Sequence, residues 1–277
     1  MLISALENVT IVKNMTATDV AALDAVFSDV NELATDAEGV DLSRKGDLSL
    51  VSIATRQHCY TFDILDCTLQ DPMVHFLRKL LEDDSKTKII HDCRMDSDAL
   101  EHIAQIRLAN VHDTSCFHTV LTDENEISLN NLLAYHKIEV NAVRDRNVYK
   151  ENHAWWKVRP LTNKMIEWTS NDVLKLFGVY DLQKQLAVDM GKMPACLEMC
   201  EKYRTFAVNA RVAEIHVKNV GIFIGEQGSN IKALRERTNT CIYAIGPRHK
   251  NKFLVYYTDA NSLQEVKKAA VASNFFR

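Results

Sequence analysis

The chain has 277 residues, 47% hydrophobic and 25% charged, with a formal net charge of −4. That composition suits one large or two ordinary globular domains and excludes collagen, a disordered tail and a coiled coil. No apolar run approaches the roughly 20 residues that cross a bilayer, the first residues lack a signal peptide's basic flank, and seven cysteines without framework spacing read as reduced thiols of a cytoplasmic or nuclear protein with no membrane partner.

In chain order, Val9–Val12 reads as a short strand and Ala17–Phe27 as a helix capped by Thr18 or Asp19. Three β-rich runs follow, at Leu33–Val40, Leu48–Ala54 and His58–Ile64, with a Lys45-Gly46-Asp47 turn between the first two. Short strands joined by tight turns predict an antiparallel meander. Met73–Leu81 reads as a helix and Thr87–His91 as a strand. From there to about residue 190 the pattern is mainly helical, interrupted by a polar stretch at Val143–His153. Antiparallel strands first, then strand alternating with helix, predict a mixed α/β sheet rather than a doubly wound parallel one. Residues 183–209 read as helical, with 191–207 as a linker between domains at 1–190 and 208–277.

The charge is uneven. Residues 211–277 hold 11 Lys or Arg against 5 Asp or Glu, and residues 1–210 hold 22 against 32, so a +6 module follows a −10 body. A basic module on an acidic body points to two domains with different partners, the basic one suited to phosphate. In the acidic part, Asp36 and Glu38 fall two apart on a strand, so their side chains share one face and Leu33, Thr35 and Ala37 take the other. Such a pair either faces solvent or shares a cation.

Asp36-Ala37-Glu38, then Lys88-Ile89-Ile90-His91-Asp92-Cys93-Arg94-Met95-Asp96, then Arg159-Pro160-Leu161 leading to a helical Asp172-Val173, occur in that order. Over residues 8–190 these motifs resemble the DEDD superfamily of 3′–5′ exonucleases, in the RNase D-like branch that includes the Egalitarian-like proteins. The resemblance implies an RNase H-like mixed-sheet domain that hydrolyses phosphodiesters. Two divalent ions about 3.5–4 Å apart would activate the water and stabilise the leaving oxygen, and hard carboxylate oxygens suit Mg²⁺ or Mn²⁺. By resemblance, Asp36 bridges both ions, Glu38 and Asp172 complete the site of the ion carrying the attacking water, and Asp96 serves the second ion through water. Asp98 is the alternative to Asp96, whereas Asp92 and Asp113 read as structural and His91 as a hydrogen-bonding residue of the fold.

Active relatives carry a Tyr four residues, or a His five residues, before the last Asp. Here those positions are Trp168 and Glu167. Indole donates but does not accept a proton, so either Glu167 serves as the base or the site is slow or silent.

Residues 208–274 carry a second pattern. A short apolar helix runs into Gly225-Glu226-Gln227-Gly228, a helix follows with Ile231 and Lys232, Thr238 leads to a strand at Ile242, Phe253–Tyr257 is the next strand, and Ser262–Ala272 is a last helix. This β-α-α-β-β-α order resembles a type I KH domain, an α+β module. The resemblance implies single-stranded RNA as the partner, gripped through Ile224, Gly225, Glu226, Gln227, Gly228 and Lys232, with two glycines letting the backbone approach phosphates. Glu226 departs from the basic residue usual there and weakens the grip. A KH fold also serves as a protein-binding module. Cys196 and Cys200, four apart, lack the partners of a zinc site, and Trp155 and Trp156 read as packing beneath the Asp172 helix rather than as base-stacking platforms.

The expected function is metal-dependent 3′–5′ trimming of RNA, with the KH module holding the strand. The alternative is a catalytically silent RNA-binding adaptor in a small-RNA or mRNA-handling complex, with protein partners.

Overall fold

A computed structural model describes residues 2–247 and 251–273, with the side chains of 3–5 and 207 left aside. Residues 248–250 and 274–277, assigned from sequence to the second module, lie outside the described residues. The chain divides into two compact units, one of residues 1–146 and 154–208, the other of 147–153 and 209–277.

The first unit holds strands β1 (Leu2–Leu6), β2 (Val9–Val12), β3 (Glu32–Glu38), β4 (Leu50–Ala54), β5 (Cys59–Asp63), β6 (Thr87–Ile90) and β7 (Val111–Asp113). They form one sheet in the order β1-β2-β5-β4-β3-β6-β7. The expected meander is its centre: β3, β4 and β5 pair antiparallel, with Asp36 opposite Ser52 and Ser52 opposite Thr61. β2 joins β5 in parallel, and β3, β6 and β7 run parallel to one another. The sheet is mixed, as the element order predicts.

Helices α1 (Ala17–Phe27), α2 (Pro72–Leu81), α3 (Arg94–Ala104) and α4 (Thr114–Thr122) bury one face of the sheet, through residues such as Leu23, Leu77, Leu100 and Phe117. Helices α5 (Leu129–Tyr135), α7 (Asn163–Leu174) and α8 (Leu176–Asp189) bury the other, through Leu132, Val173 and Phe177. The short α6 is Val148–Glu151. Alternation along β3 sends Leu33 and Ala37 to the first face and Ala34 to the second.

Local chemistry sets the helix ends. Thr16, not Thr18 or Asp19, caps α1. Its hydroxyl accepts from the Asp19 N–H while the Asp19 carboxylate accepts from the Thr16 N–H at 2.9 Å, a reciprocal box that satisfies two end donors. Asp71 caps α2 with Pro72 at the first helical position, where its missing N–H costs nothing.

The segment read as a linker is helical but packed. It forms most of α9 (Met193–Asn209), whose Cys196 and Cys200 are buried in the first core. Tyr203 Oη donates to Glu126 at 2.8 Å and Arg204 Nη1 to the Leu108 carbonyl at 2.8 Å. A helix with buried positions belongs to the unit it covers.

In the second unit, β8 (Arg211–His216), α10 (Val220–Ile224), α11 (Ser229–Thr238), β9 (Cys241–Ile245), β10 (Lys252–Tyr257) and α12 (Ala260–Ala272) follow in the expected order. The sheet runs β8-β10-β9 with antiparallel pairs, and Phe223, Ile231, Leu234, Ile242, Phe253, Val255 and Val266 form its own core.

Candidate active site and glycine loop

The site starts on β3. Because Ala37 faces the α1–α4 core, Asp36 and Glu38 project to the α7 side. α7 begins at a Thr162 cap and lies across β3, β4 and β5. Buried hydroxyls fix it there: Thr169 Oγ1 is 2.7 Å from Ser52 Oγ, itself 3.0 Å from Thr61 Oγ1. Three residues on, the same helix face carries Asp172. One oxygen each of Asp36, Glu38 and Asp172 then lies within 4.8 Å of the others.

Asp96 arrives by another route. The register of β6 with β3 ends at Ala34, which leaves the later β3 edge open on that side. There the Ala37 N–H donates to Asp96 Oδ1 at 2.9 Å, from the first turn of α3. The fourth acid is thereby held beside the strand that carries the first two, though outside the trio that converges.

Burial and mutual repulsion shift these carboxyls upward. Desolvation, then the charge of Asp172, pushes Asp36 up to about 7. Desolvation, with Asp36 next, lifts Glu38 and Asp96 well above the usual carboxylate range. Burial also raises Asp172, against the lowering influence of Arg144, Asn141 and Trp168. A carboxyl whose pKa is higher folded than unfolded binds more protons in the fold, so its contribution is most favourable at low pH and is lost as pH rises. For Asp36 the window runs from about 4, its unfolded value, to about 7. In chelator-treated protein, Asp36→Asn should therefore gain melting temperature relative to wild type as pH rises across that window. A constant difference between the two melts from pH 4.5 to 7.5 contradicts the coupling.

The other sequence candidates separate cleanly. Asp98 is buried and held by Arg44, whose N–H and Nε each donate to it at 2.7 Å, so it is a structural ion pair. Asp92 pairs with Arg94 at 2.6 Å. Asp113 accepts from the N–H groups of Asp92, Cys93 and Ser115, capping α4. His91 lies 3.0 Å from Thr114 Oγ1 and 3.1 Å from the Ile127 carbonyl, inside the fold. Glu167 is exposed and is not brought into the acidic cluster. At 100° per residue it stands about 140° round α7 from Asp172, so the arrangement gives no support to its reading as the base.

Trp168 is 1% exposed and packs with Trp155 and Trp156, ring centroids 5.3 and 5.8 Å away. The tryptophan pair thus packs against the Asp172 helix, as its sequence reading expects. Arg159 fixes the approach to α7, donating to Asp63 at 2.6 and 2.8 Å and to the Trp156 carbonyl at 2.9 Å.

Two site residues escape the sequence reading. Asn141 Nδ2 donates to Asp172 Oδ1 at 2.7 Å and to the Trp168 carbonyl at 2.9 Å, and Arg144 Nη1 donates to Asp172 Oδ2. The only signal was a charged triplet, Arg144-Asp145-Arg146, inside an otherwise helical region.

Three converging carboxylate oxygens with a fourth carboxyl alongside form a hard donor set that fits a divalent cation of the Mg²⁺ kind.

In the second unit, Gly225 (φ +76°) and Gly228 (φ +81°) bracket a 3₁₀ turn between α10 and α11. Asn230 Nδ2 donates to the Ile222 carbonyl at 2.8 Å and ties the loop down. Glu226, Gln227 and Lys232 are exposed, and Ile224 is half-buried. The loop therefore presents backbone, one cation and one anion at the surface.

Residues 11–187 match the family model for 3′–5′ exonuclease, and residues 209–269 match that for the KH domain. The piRNA biogenesis protein EXD1 of Homo sapiens is 30% identical over 172 residues, 57% of this chain but 32% of that protein. The chain thus spans about a third of that relative's length. The C496S mutant of the catalytic core of RRP6 from Trypanosoma brucei superposes with a TM-score of 0.60 at 23% identity, over 75% of this chain and 55% of that one. RNase D of Trypanosoma brucei, in complex with RNA U12, gives a TM-score of 0.61 at 20% identity, over 73% and 72%. At these identities the two structures speak for the fold.

Proposed function

The chain belongs to the 3′–5′ exonuclease family, with an RNase H-like exonuclease fold followed by a KH domain, and on that premise we propose that it trims RNA from the 3′ end while the KH domain holds the single strand. The observation that supports this is the convergence of Asp36, Glu38 and Asp172, with Asp96 fixed beside them. These four would hold two divalent ions, Mg²⁺ or Mn²⁺, which when bound supply activation of the water and neutralisation of the leaving oxygen.

The chain's own side chains do the rest. Asn141 orients the Asp172 carboxylate through Oδ1. Trp168 closes the back of the site and contributes no proton acceptor. With Glu167 on the exposed face of α7, the position of the usual base is empty of one, and turnover is slow. That same observation favours a second reading, a catalytically silent adaptor that binds RNA and recruits proteins through the exonuclease fold.

We place the domain boundary after α9 rather than before it, because α9 packs in the first core. EXD1 is named for piRNA biogenesis, and we assign this chain to RNA handling of that kind, in a small-RNA pathway. None of the seven cysteines is in a disulfide, which suits a reducing intracellular compartment. No helix among the described residues is long and apolar enough to cross a membrane.

The reading is tested with end-labelled single-stranded RNA and Mg²⁺ or Mn²⁺. Wild type should shorten the RNA slowly from the 3′ end, and Asp36→Asn should lower the rate by at least about 10²-fold, since it removes a charge the two-ion site needs. RNA binding without shortening would transfer the assignment to the adaptor.

A further inference from the structure

Both oxygens of the Asp172 carboxylate are engaged by N–H donors of one loop. Asn141 takes Oδ1 at 2.7 Å and the Arg144 guanidinium takes Oδ2. Asp172 is 1% exposed at its side chain and Arg144 is 24% exposed, so the ion pair sits at the wall of the site with its cation on the open side. The guanidinium carbon is 5.6 Å from the Trp168 ring centroid, on the helix face that carries Asp172. Its charge also reaches Asp36 and Glu38, where it opposes the effect of burial.

The loop fixes Asn141 and carries Arg144 just beyond it. Asn141 is anchored at its own backbone: its N–H donates to Asn130 Oδ1 at 3.0 Å and its carbonyl accepts from Asn130 Nδ2 at 3.1 Å. Past that anchor the chain turns on itself, with the Arg144 N–H donating to the Asn141 carbonyl at 3.2 Å and the Asp145 N–H to the Val143 carbonyl at 2.9 Å. Arg144 therefore rides on irregular backbone beyond a fixed point.

We propose that Arg144 is a built-in counter-ion of the acidic cluster that competes with a divalent cation for Asp172, so that metal enters only when the guanidinium is displaced from Oδ2. The proposal rests on the metal-site reading above and adds its control. Two positive charges at one carboxylate repel, and a guanidinium that satisfies Asp172 in the metal-free protein stabilises that state against loading. Arg144 acts on the site through Asp172 and is a positioning residue, not a catalytic one.

The test uses the full chain and Mn²⁺ itself, with dissociation constants from the Mn²⁺ electron paramagnetic resonance signal and parallel thermal melts. Arg144→Gln should bind Mn²⁺ about tenfold more tightly than wild type or better, equivalent to about 1.4 kcal/mol, while melting lower than wild type in chelator. Arg144→Lys keeps the charge on a shorter, more mobile group and should fall between, which serves if the glutamine variant is too unstable without metal. Equal Mn²⁺ affinity in all three overturns the competition and leaves the metal site standing. Absence of Mn²⁺ binding in all three overturns the competition and the nuclease reading together.

Discussion

Replacing Trp168 by tyrosine should raise the rate of 3′-end trimming by about 10²-fold, the lower end of what one general base contributes. Residue 168 stands one turn before Asp172 on α7, and an i, i+4 pair shares a helix face. Its ring is 1% exposed and packs against both Trp155 and Trp156. Indole can donate but not accept, whereas a phenol oxygen does both. The smaller ring leaves a gap in a close-packed cluster, and a large-to-small change of this kind costs about 0.5–3 kcal/mol. The variant should therefore melt a few degrees lower while working faster. Single-turnover rates on labelled RNA, taken beside melts, separate the two effects. A folded Trp168→Tyr protein with no gain in rate shows that the deficit is not the missing acceptor, and the adaptor reading then takes precedence.

The second large effect belongs to the glycine loop, and its two glycines should respond differently. Gly225 combines φ +76° with ψ 171°, a region that side chains avoid. A Cβ there would stand 2.7 Å from Asn230 Cγ and 2.8 Å from the Asn230 backbone N. Gly225→Asp must break the contact between Asn230 and the Ile222 carbonyl that ties the loop down. Gly228 has φ +81° and ψ 14°, near the left-handed region that Asp visits, and a Cβ there meets nothing closer than 3.8 Å. Gly228→Asp therefore adds charge with little distortion. Affinity for single-stranded RNA, measured by fluorescence anisotropy, should fall at least about tenfold in Gly225→Asp and less in Gly228→Asp, and the wild-type affinity should fall with added salt. Unchanged affinity in both variants moves RNA to another surface and assigns the module to protein contacts.

Much of the fold was legible because its signals are local. The alternation around Asp36 and Glu38 names the face that meets α7, and the second module's strand and helix order follows from a few apolar runs around two glycines. The edge strands were not legible: β7 is three residues long, Val111–Asp113, too short for a period to register. The sequence of α9 reads as a linker because Cys196 and Cys200 are weak hydrophobic signals on a polar helix, yet both are buried. The cap of α1 was misplaced by two or three residues because Thr16 and Asp19 act as a reciprocal pair rather than singly.

Family motifs name Asp36, Glu38, Asp96 and Asp172 as candidates, whereas long-range pairing is opaque to sequence. Asp96 and Asp98 are two apart in sequence, and only the structure tells them apart, with Asp98 tied to Arg44 and Asp96 to the Ala37 N–H on β3. Asn141 and Arg144 reach Asp172 across 31 and 28 residues, from a stretch whose composition announced only a loop. No spacing rule connects them.

On the proposed function, the four carboxylates on β3, α3 and α7 form a metal-dependent hydrolytic site for RNA ends. Its most direct test labels single-stranded RNA at the 3′ end, adds chelator-treated protein, and follows release of label on addition of Mn²⁺. A working site gives slow release of labelled mononucleotide from the first time points, dependent on Mn²⁺ and lost in Asp36→Asn. No release by wild type at saturating Mn²⁺, or equal release by Asp36→Asn, would contradict it.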